Sequence, residues 1–220
     1  MLLFIASDPR ELAGLLRHCR GVRPLAWPVD WAREGQLHGR KVQLAANGVG
    51  PQRAAAALRD AEMIVSVGYC GALEPSLRVG DIVVATSVGG IPARQPRCEL
   101  PYHSGPVASQ SRVASSAEQK RKLRSAGAIA VEMEAAGVAA EAARRGLPFA
   151  CIRAVTDRAE ETFRNDFDAA LRPDGHFDTM LLLRSALQNP ASALPELVRL
   201  HFRCRRAARN LGEFLAHCRF

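Results

Sequence analysis

Apolar residues recur along the chain in short segments that are strand-like and helix-like in turn: residues 2–6, 11–19, 41–46, 51–59, 63–67, 81–85, 128–131, 133–145 and 148–155. Strands alternating with helices predict an α/β fold, with helices on both faces of one sheet in a three-layer α/β/α sandwich. The helix over 133–145 is the plainest of them: Val138, Ala139, Ala142 and Ala143 share a face, Glu141, Arg144 and Arg145 stand outside it, and Gly146 ends it. Residues 177–189 and 194–218 read as two further helices separated by Asn189-Pro190. On the second, Leu197, Cys204, Ala208, Leu211, Leu215 and Cys218 form an apolar stripe interrupted by His201, with arginines mostly off it. Two readings stay open for that helix. It docks on the sheet with a cationic face in water, or it lies on an anionic lipid surface, where each basic residue adds about 1 kcal/mol. The expected organisation is a single domain over 1–220 with a C-terminal helical extension from about 177.

At 220 residues the chain is long enough to bury a large core, and its 48% of apolar residues suit a soluble protein. A net charge of +8 invites a nucleic-acid partner, but the arginines of the first half are dispersed and aromatic residues make up only 5%. Stacking platforms for bases are therefore scarce, and no nucleic acid is expected. Six cysteines without a C-x-x-C spacing read as reduced packing residues, and Cys98 with His103 lacks the second pair that a metal site requires. The apolar run at 2–6 is too short for a signal segment, so a cytoplasmic protein is expected.

Candidate chemistry centres on Val131-Glu132-Met133-Glu134-Ala135-Ala136-Gly137. Burying an ionised carboxylate without a partner costs several kcal/mol, so two acids flanking one methionine point to a ligand rich in hydroxyls. Each residue alone has a plainer use: Glu134 as a solvated first-turn acid, Met133 as core, Glu132 as a partner for Arg153, Asp157 as a helix N-cap. The Asn47-Gly48-Val49-Gly50-Pro51 loop follows a strand and opens a helix, but Arg53 stands where a dinucleotide fingerprint needs its third glycine. Nicotinamide and flavin chemistry are excluded on that ground.

Four separated motifs, in order, resemble the nucleoside phosphorylase and nucleosidase superfamily: the strand and turn over 2–11; Asn47 to Pro51; Ser66-Val67-Gly68-Tyr69-Cys70-Gly71-Ala72 with its sequel 77–84; and Val131 to Gly137 with Arg153-Ala154-Val155-Thr156-Asp157. The resemblance implies a central mixed, partly barrel-like sheet and cleavage of the bond between a purine and ribose. Under it, Asp157 protonates the base, Glu134 binds the ribose hydroxyls, and Met133 packs on the sugar face. Glu132, Arg153, Tyr69, Cys70 and Gly71 complete the substrate pocket. Glu11 falls where hydrolases of the superfamily activate water. Gly48, Gly50 and Arg10 are the implied phosphate ligands, with Gly68, Gly71, Arg53 and Arg153 as further anion donors. Ser66 and Tyr69 stand where a purine phosphorylase carries an arginine and a serine, a departure that weakens the phosphate site. No cofactor is implied beyond phosphate as co-substrate, and a homodimer is.

Two departures narrow the resemblance. Residues 84–107 are short and rich in Gly and Pro, like a trimmed lid that leaves the 5′ side of the ribose open, with Tyr102 and His103 as its polar groups. The tail motifs Arg172-Pro173-Asp174-Gly175, Asn189-Pro190 and Leu194-Pro195-Glu196-Leu197 resemble a hopanoid-associated phosphorylase subgroup. That subgroup implies a lipid-linked purine nucleoside, adenosylhopane, as substrate and peripheral membrane contact by the last helix. The alternatives are a methylthioadenosine/S-adenosylhomocysteine or futalosine-type nucleosidase and, from another class, a non-catalytic purine-binding protein.

Overall fold

The computed structural model describes residues 1–220. In chain order its elements are β1 (Leu2–Ala6), α1 (Pro9–Leu16), β2 (Arg20–Pro24), β3 (Trp31–Leu37), β4 (Arg40–Ala46), α2 (Pro51–Ala56), β5 (Met63–Ala72), β6 (Ile82–Val88), β7 (Ile91–Pro92), β8 (His103–Ser109), α3 (Ala117–Ser125), β9 (Ala130–Glu132), α4 (Ala135–Arg144), β10 (Phe149–Asp157), α5 (Phe167–Ala170), α6 (Thr179–Ala186) and α7 (Pro190–His217). One mixed sheet takes in every strand, running β10-β6-β8-β9-β5-β1-β4-β3-β2, with β7 hanging from β6. A further pairing of β10 with β5 closes β5, β10, β6, β8 and β9 into a ring. The expected α/β sandwich with a partly barrel-like sheet is what the chain forms.

β5 is the strand shared by ring and open arm, and its length of ten residues is what allows this. Its first half runs parallel to β1, Met63 beside Leu2 and Ser66 beside Ile5, while its end pairs antiparallel with β9, Gly71 beside Val131. β10 follows it in parallel from Phe149 beside Ile64 to Asp157 beside Gly71. The carboxyl ends of β1, β5 and β10 therefore open on one side of the sheet, the usual place for a ligand in such folds.

Successive side chains of a strand face opposite ways, and β1 shows what that means when both faces are covered. Leu3 and Ile5 enter a core with Ala54, Val138, Ala139 and Ala142 of α2 and α4; Leu2, Phe4 and Ala6 enter a second core with Leu12 and Leu15 of α1 and Leu211, Phe214 and Leu215 of α7. The tail stripe at Ala208, Leu211 and Leu215 is thus buried, so this half of α7 docks on the sheet layer. α7 starts earlier than the sequence pattern indicates, with Pro190 in its first turn rather than residue 194. Proline is tolerated there because its missing N–H would be unpaired in any case. The stretch expected to be a trimmed lid is instead mostly sheet, β6, β7 and β8. Tyr102 stacks edge-on against Phe214 and His103 faces Asp81 at 3.4 Å.

α1 and α7 touch through their glycines. A Cβ on Gly14 would lie 2.1 Å from the Ala208 carbonyl oxygen, and one on Gly212 would lie 2.1 Å from the Gly14 carbonyl carbon. Gly212→Val must push the helices apart, and a loss of about 2–3 kcal/mol is expected from such overpacking, read as a lower midpoint in urea denaturation.

Candidate active site

Three acids reach the carboxyl end of β5 from different elements. After β1 the chain turns through Ser7 and Asp8 into α1, and Glu11 folds back on that turn as half of a reciprocal capping box. Its Oε2 accepts from the Ser7 N–H at 2.9 Å, the Ser7 hydroxyl at 2.8 Å and the Asp8 N–H at 3.1 Å. Its Oε1 accepts from the Tyr69 N–H of β5 at 3.0 Å. Only glycine fits at 68, since a Cβ there would meet Glu11 Oε1 at 2.8 Å. Burial raises the Glu11 carboxyl above its usual range against the pull of these donors.

Asp157 meets β5 in the same manner, three residues further on: a Cβ on Gly71 would lie 2.8 Å from Asp157 Oδ2. Asp157 is the last residue of β10 and no helix follows it directly, so it does not serve as the N-cap that its neighbours suggest. Its Oδ1 accepts from the Thr156 hydroxyl at 3.0 Å and its Oδ2 from Lys120 Nζ at 2.5 Å. Lys120 comes from α3, is 1% exposed, also donates to the Arg158 carbonyl at 2.8 Å and stands 5.3 Å from the Phe163 ring centroid. Burial raises the Asp157 carboxyl, and the Lys120 ammonium is the main force opposing it.

The Glu132-Met133-Glu134 run divides its labour. Glu132, buried at the end of β9, caps α4 from outside: its Oε2 accepts from the Glu134 N–H at 3.0 Å and the Ala135 N–H at 2.8 Å. The same oxygen accepts from Arg153 Nη2 at 2.6 Å, and that nitrogen donates to the Ser66 hydroxyl at 2.9 Å. Glu132 and Arg153 are thus a buried structural pair, the plainer of the uses open to them. Glu134 and Met133 remain half-buried, and Glu134 has only a long 3.4 Å contact from the Met133 N–H. Burial, then the negative charges of Glu132 and Glu11, push the Glu134 carboxyl up to about 8.

The remaining candidates separate. Cys70 lies in the core, its carbonyl accepting from the Thr156 hydroxyl at 3.2 Å, and burial raises its thiol well above the usual range. Tyr69 is half-buried, and burial followed by the charge of Glu11 raises its phenol. Gly48 gives its N–H to the Ser7 carbonyl at 2.9 Å, and Val49 gives its N–H to Gly175 at 2.7 Å. Gly50 opens α2 with a positive φ of 113°. Arg10 lies over Asp8 in a two-pronged pair at 2.9 and 2.7 Å, and Arg53 is held by the Asn47 carbonyl at 2.6 Å and Asp30 at 2.7 Å. A cavity of about 560 Å³ beside Asp30, Asn47 and Arg53 is lined by none of Glu11, Glu132, Glu134 and Asp157.

The thiol of Cys204 in α7 is pushed up to about 12 by burial and then by the charges of Glu11 and Asp157. Lys120 and Cys204 are the participants that sequence reasoning missed. Neither carries a local signal: Lys120 sits in a run of charged residues, and Cys204 reads as part of a packing stripe.

An α/β sandwich with a ringed sheet and acids at the carboxyl ends of its parallel strands defines a class, and the family comparison agrees. The chain belongs to the phosphorylase superfamily, whose model matches residues 2–97 and 93–184. Among curated relatives, a 5′-methylthioadenosine/S-adenosylhomocysteine nucleosidase of Staphylococcus aureus (strain MRSA252) is 27% identical over 176 residues, covering 62% of this chain and 77% of the relative. Among solved structures, a nucleosidase of the same description from Neisseria meningitidis, in complex with methylthio-immucillin-A, superposes with a TM-score of 0.71 at 22% identity, covering 98% and 96% of the two chains. A futalosine hydrolase of Helicobacter pylori strain 26695 gives 0.69 at 17%, covering 97% and 94%. At these identities the solved structures establish the fold.

Two outcomes follow from the electrostatics. Lys120→Met leaves a buried carboxylate without its cation and should cost about 3–5 kcal/mol in urea denaturation at neutral pH, with part restored by adding Asp157→Asn. For Glu134 the unfolded chain releases its proton near 4.5 and the native state near 8, so the native state binds more protons in between. Unfolding free energy should fall as pH rises through that window, and Glu134→Gln should remove this part of the slope.

Proposed function

We propose that the protein hydrolyses the N-glycosidic bond of a purine nucleoside. The observation that carries this reading is the arrival of Glu11, Glu134 and Asp157 at one strand end, with Gly68 and Gly71 admitting two of the carboxylates to backbone distance. A purine leaves poorly as an anion, and Asp157, paired with Lys120 in the ligand-free protein but with its carboxyl raised by burial, is the acid suited to take up a proton from water as the substrate binds and pass it to the ring nitrogen. Glu134, when ionised, is acceptor-only and suits the two vicinal ribose hydroxyls, with half-buried Met133 beside it for the sugar face. Glu11 accepts the proton of the attacking water: the water oxygen bonds to C1′, the bond from C1′ to the base nitrogen breaks, and the base leaves as a neutral purine.

Water is favoured over phosphate because most of the expected anion donors are spent within the protein. The N–H groups of Gly48 and Val49 are bonded to backbone carbonyls, and Arg10, Arg53 and Arg153 each sit on a carboxylate. Gly175, of the Arg172 to Gly175 tail motif, is the residue against Val49, so the tail itself covers the glycine loop.

The substrate class is a 5′-substituted adenosine, in keeping with the methylthioadenosine/S-adenosylhomocysteine nucleosidases among the relatives. Adenosylhopane, the finer reading, rests on the tail motifs at 172–175, 189–190 and 194–197. Incubation with methylthioadenosine and with adenosylhopane, with and without phosphate, tests both levels by assay of free adenine and of sugar phosphate. Adenine release without phosphate is expected, falling by about 100-fold or more in Asp157→Asn. Release that requires phosphate overturns hydrolysis. Adenine binding with no turnover of any nucleoside favours a purine-binding protein instead.

A further inference from the structure

Seven of the nine large apolar side chains that the surface exposes lie between Phe177 and Phe202, in α6, the segments flanking it and the first half of α7. Met180, Leu187, Val198 and Phe202 are each 57–64% exposed, and α6 buries only Ala186. Leaving so much hydrocarbon of one segment in water is costly, and such surfaces mark interaction sites. The charge among these residues has one sign. Residues 177–212 hold six arginines against two acids, Asp178 and Glu196. Glu196 is buried and used up by the Arg164 and Asn165 N–H groups, and Asp178 caps α6. Arg203 pairs with Glu161 at 2.7 and 2.8 Å, but Arg184, Arg199, Arg205, Arg206 and Arg209 have no carboxylate within 4.0 Å.

We propose that α6 and the first half of α7 form a docking face for an anionic lipid bilayer. Apolar side chains enter the boundary of the acyl chains while the unpaired arginines meet lipid phosphates. No helix is long and apolar enough to cross a membrane, which fits a helix lying along a surface rather than spanning it. A second copy of the chain is a poorer occupant. A two-fold contact through this face would set the five unpaired arginines against their own copies with no acid to neutralise them. RNA is poorer too, because most of the apolar side chains between the arginines are aliphatic, with Phe177, His201 and Phe202 as the few rings on which a base could stack.

Docking here would also seat the acid cluster at the bilayer. α7 holds the loop after Asp157 at two points, Arg203 to Glu161 and Glu196 to Arg164 and Asn165. The face itself does not depend on the proposed catalysis.

Co-sedimentation of the whole protein with vesicles of phosphatidylcholine alone, or with phosphatidylglycerol added, tests the proposal. Binding to the anionic vesicles should exceed binding to the neutral ones by about tenfold or more and weaken with salt. Met180→Ser/Leu187→Ser/Phe202→Ser and, separately, Arg199→Ala/Arg205→Ala/Arg209→Ala should each abolish most of it without moving the thermal midpoint, since the side chains replaced are exposed. Equal binding to both vesicle types, no binding, or triple variants that bind as the parent does would overturn it. So would a sedimentation-velocity result in which the serine variant turns a dimer into a monomer, or single-stranded RNA bound more tightly than the vesicles. Adenine release in vesicle-free solution is scored separately, so loss of the docking face and loss of activity are distinguishable.

Discussion

Everything at the candidate site depends on keeping four carboxylates, Glu11, Glu132, Glu134 and Asp157, close to one strand end inside a folded protein. Two cations make that tolerable. Arg153 is buried beside Glu132 and reaches Ser66 of β5, which ties β10, β9 and β5 together; Lys120 is buried beside Asp157 and ties α3 to the end of β10. Backbone N–H groups at the starts of α1 and α4 supply the rest, since helix N-termini favour negative charge. The acids thereby differ in kind. Glu132 and Asp157 are matched by full positive charges, Glu11 by neutral donors, and Glu134 by almost nothing, so burial and its acidic neighbours push its carboxyl up to about 8.

The sequence revealed those elements whose side chains are sorted by burial. β1, β5, β10 and α4 carry unbroken or periodic apolar runs because each is covered, and they fall near where the pattern puts them. β2 is exposed along its whole length, β8 is rich in Gly, Ser and His, and α3 buries only Lys120 among its nine residues. These are specified by neighbours, β2 by pairing with β3 and β8 by lying between β6 and β9, so no local period announces them. The acids were legible as residue types at a spacing, but their partners were not. That Arg153 sits on Glu132 could be guessed from charge; that Lys120 sits on Asp157 is a fact of tertiary packing between residues 37 apart.

The basic tail is one helix whose two halves meet different surroundings. From Ala207 to Ala216 α7 is a packing element, pressed on α1 and the sheet. From Pro190 to Arg206 it is largely exposed and carries its arginines outward, with Glu196 and Arg203 turned back as the anchors that hold the loop after Asp157. A stripe drawn along the whole helix blends these two halves, because a period of 3.6 identifies a shared face without saying what that face meets.

The contact of Gly14 with Gly212 has a temporal side. Glu11 belongs to a helix that is synthesised well before α7, yet the wall behind that helix is supplied by residues 207–216. During synthesis Glu11 is made long before its backing exists, so the cleft acquires its shape only when residues 207–216 arrive and lock α1 against α7. Premature termination anywhere before that point would leave the N-terminal strand and turn without their lining.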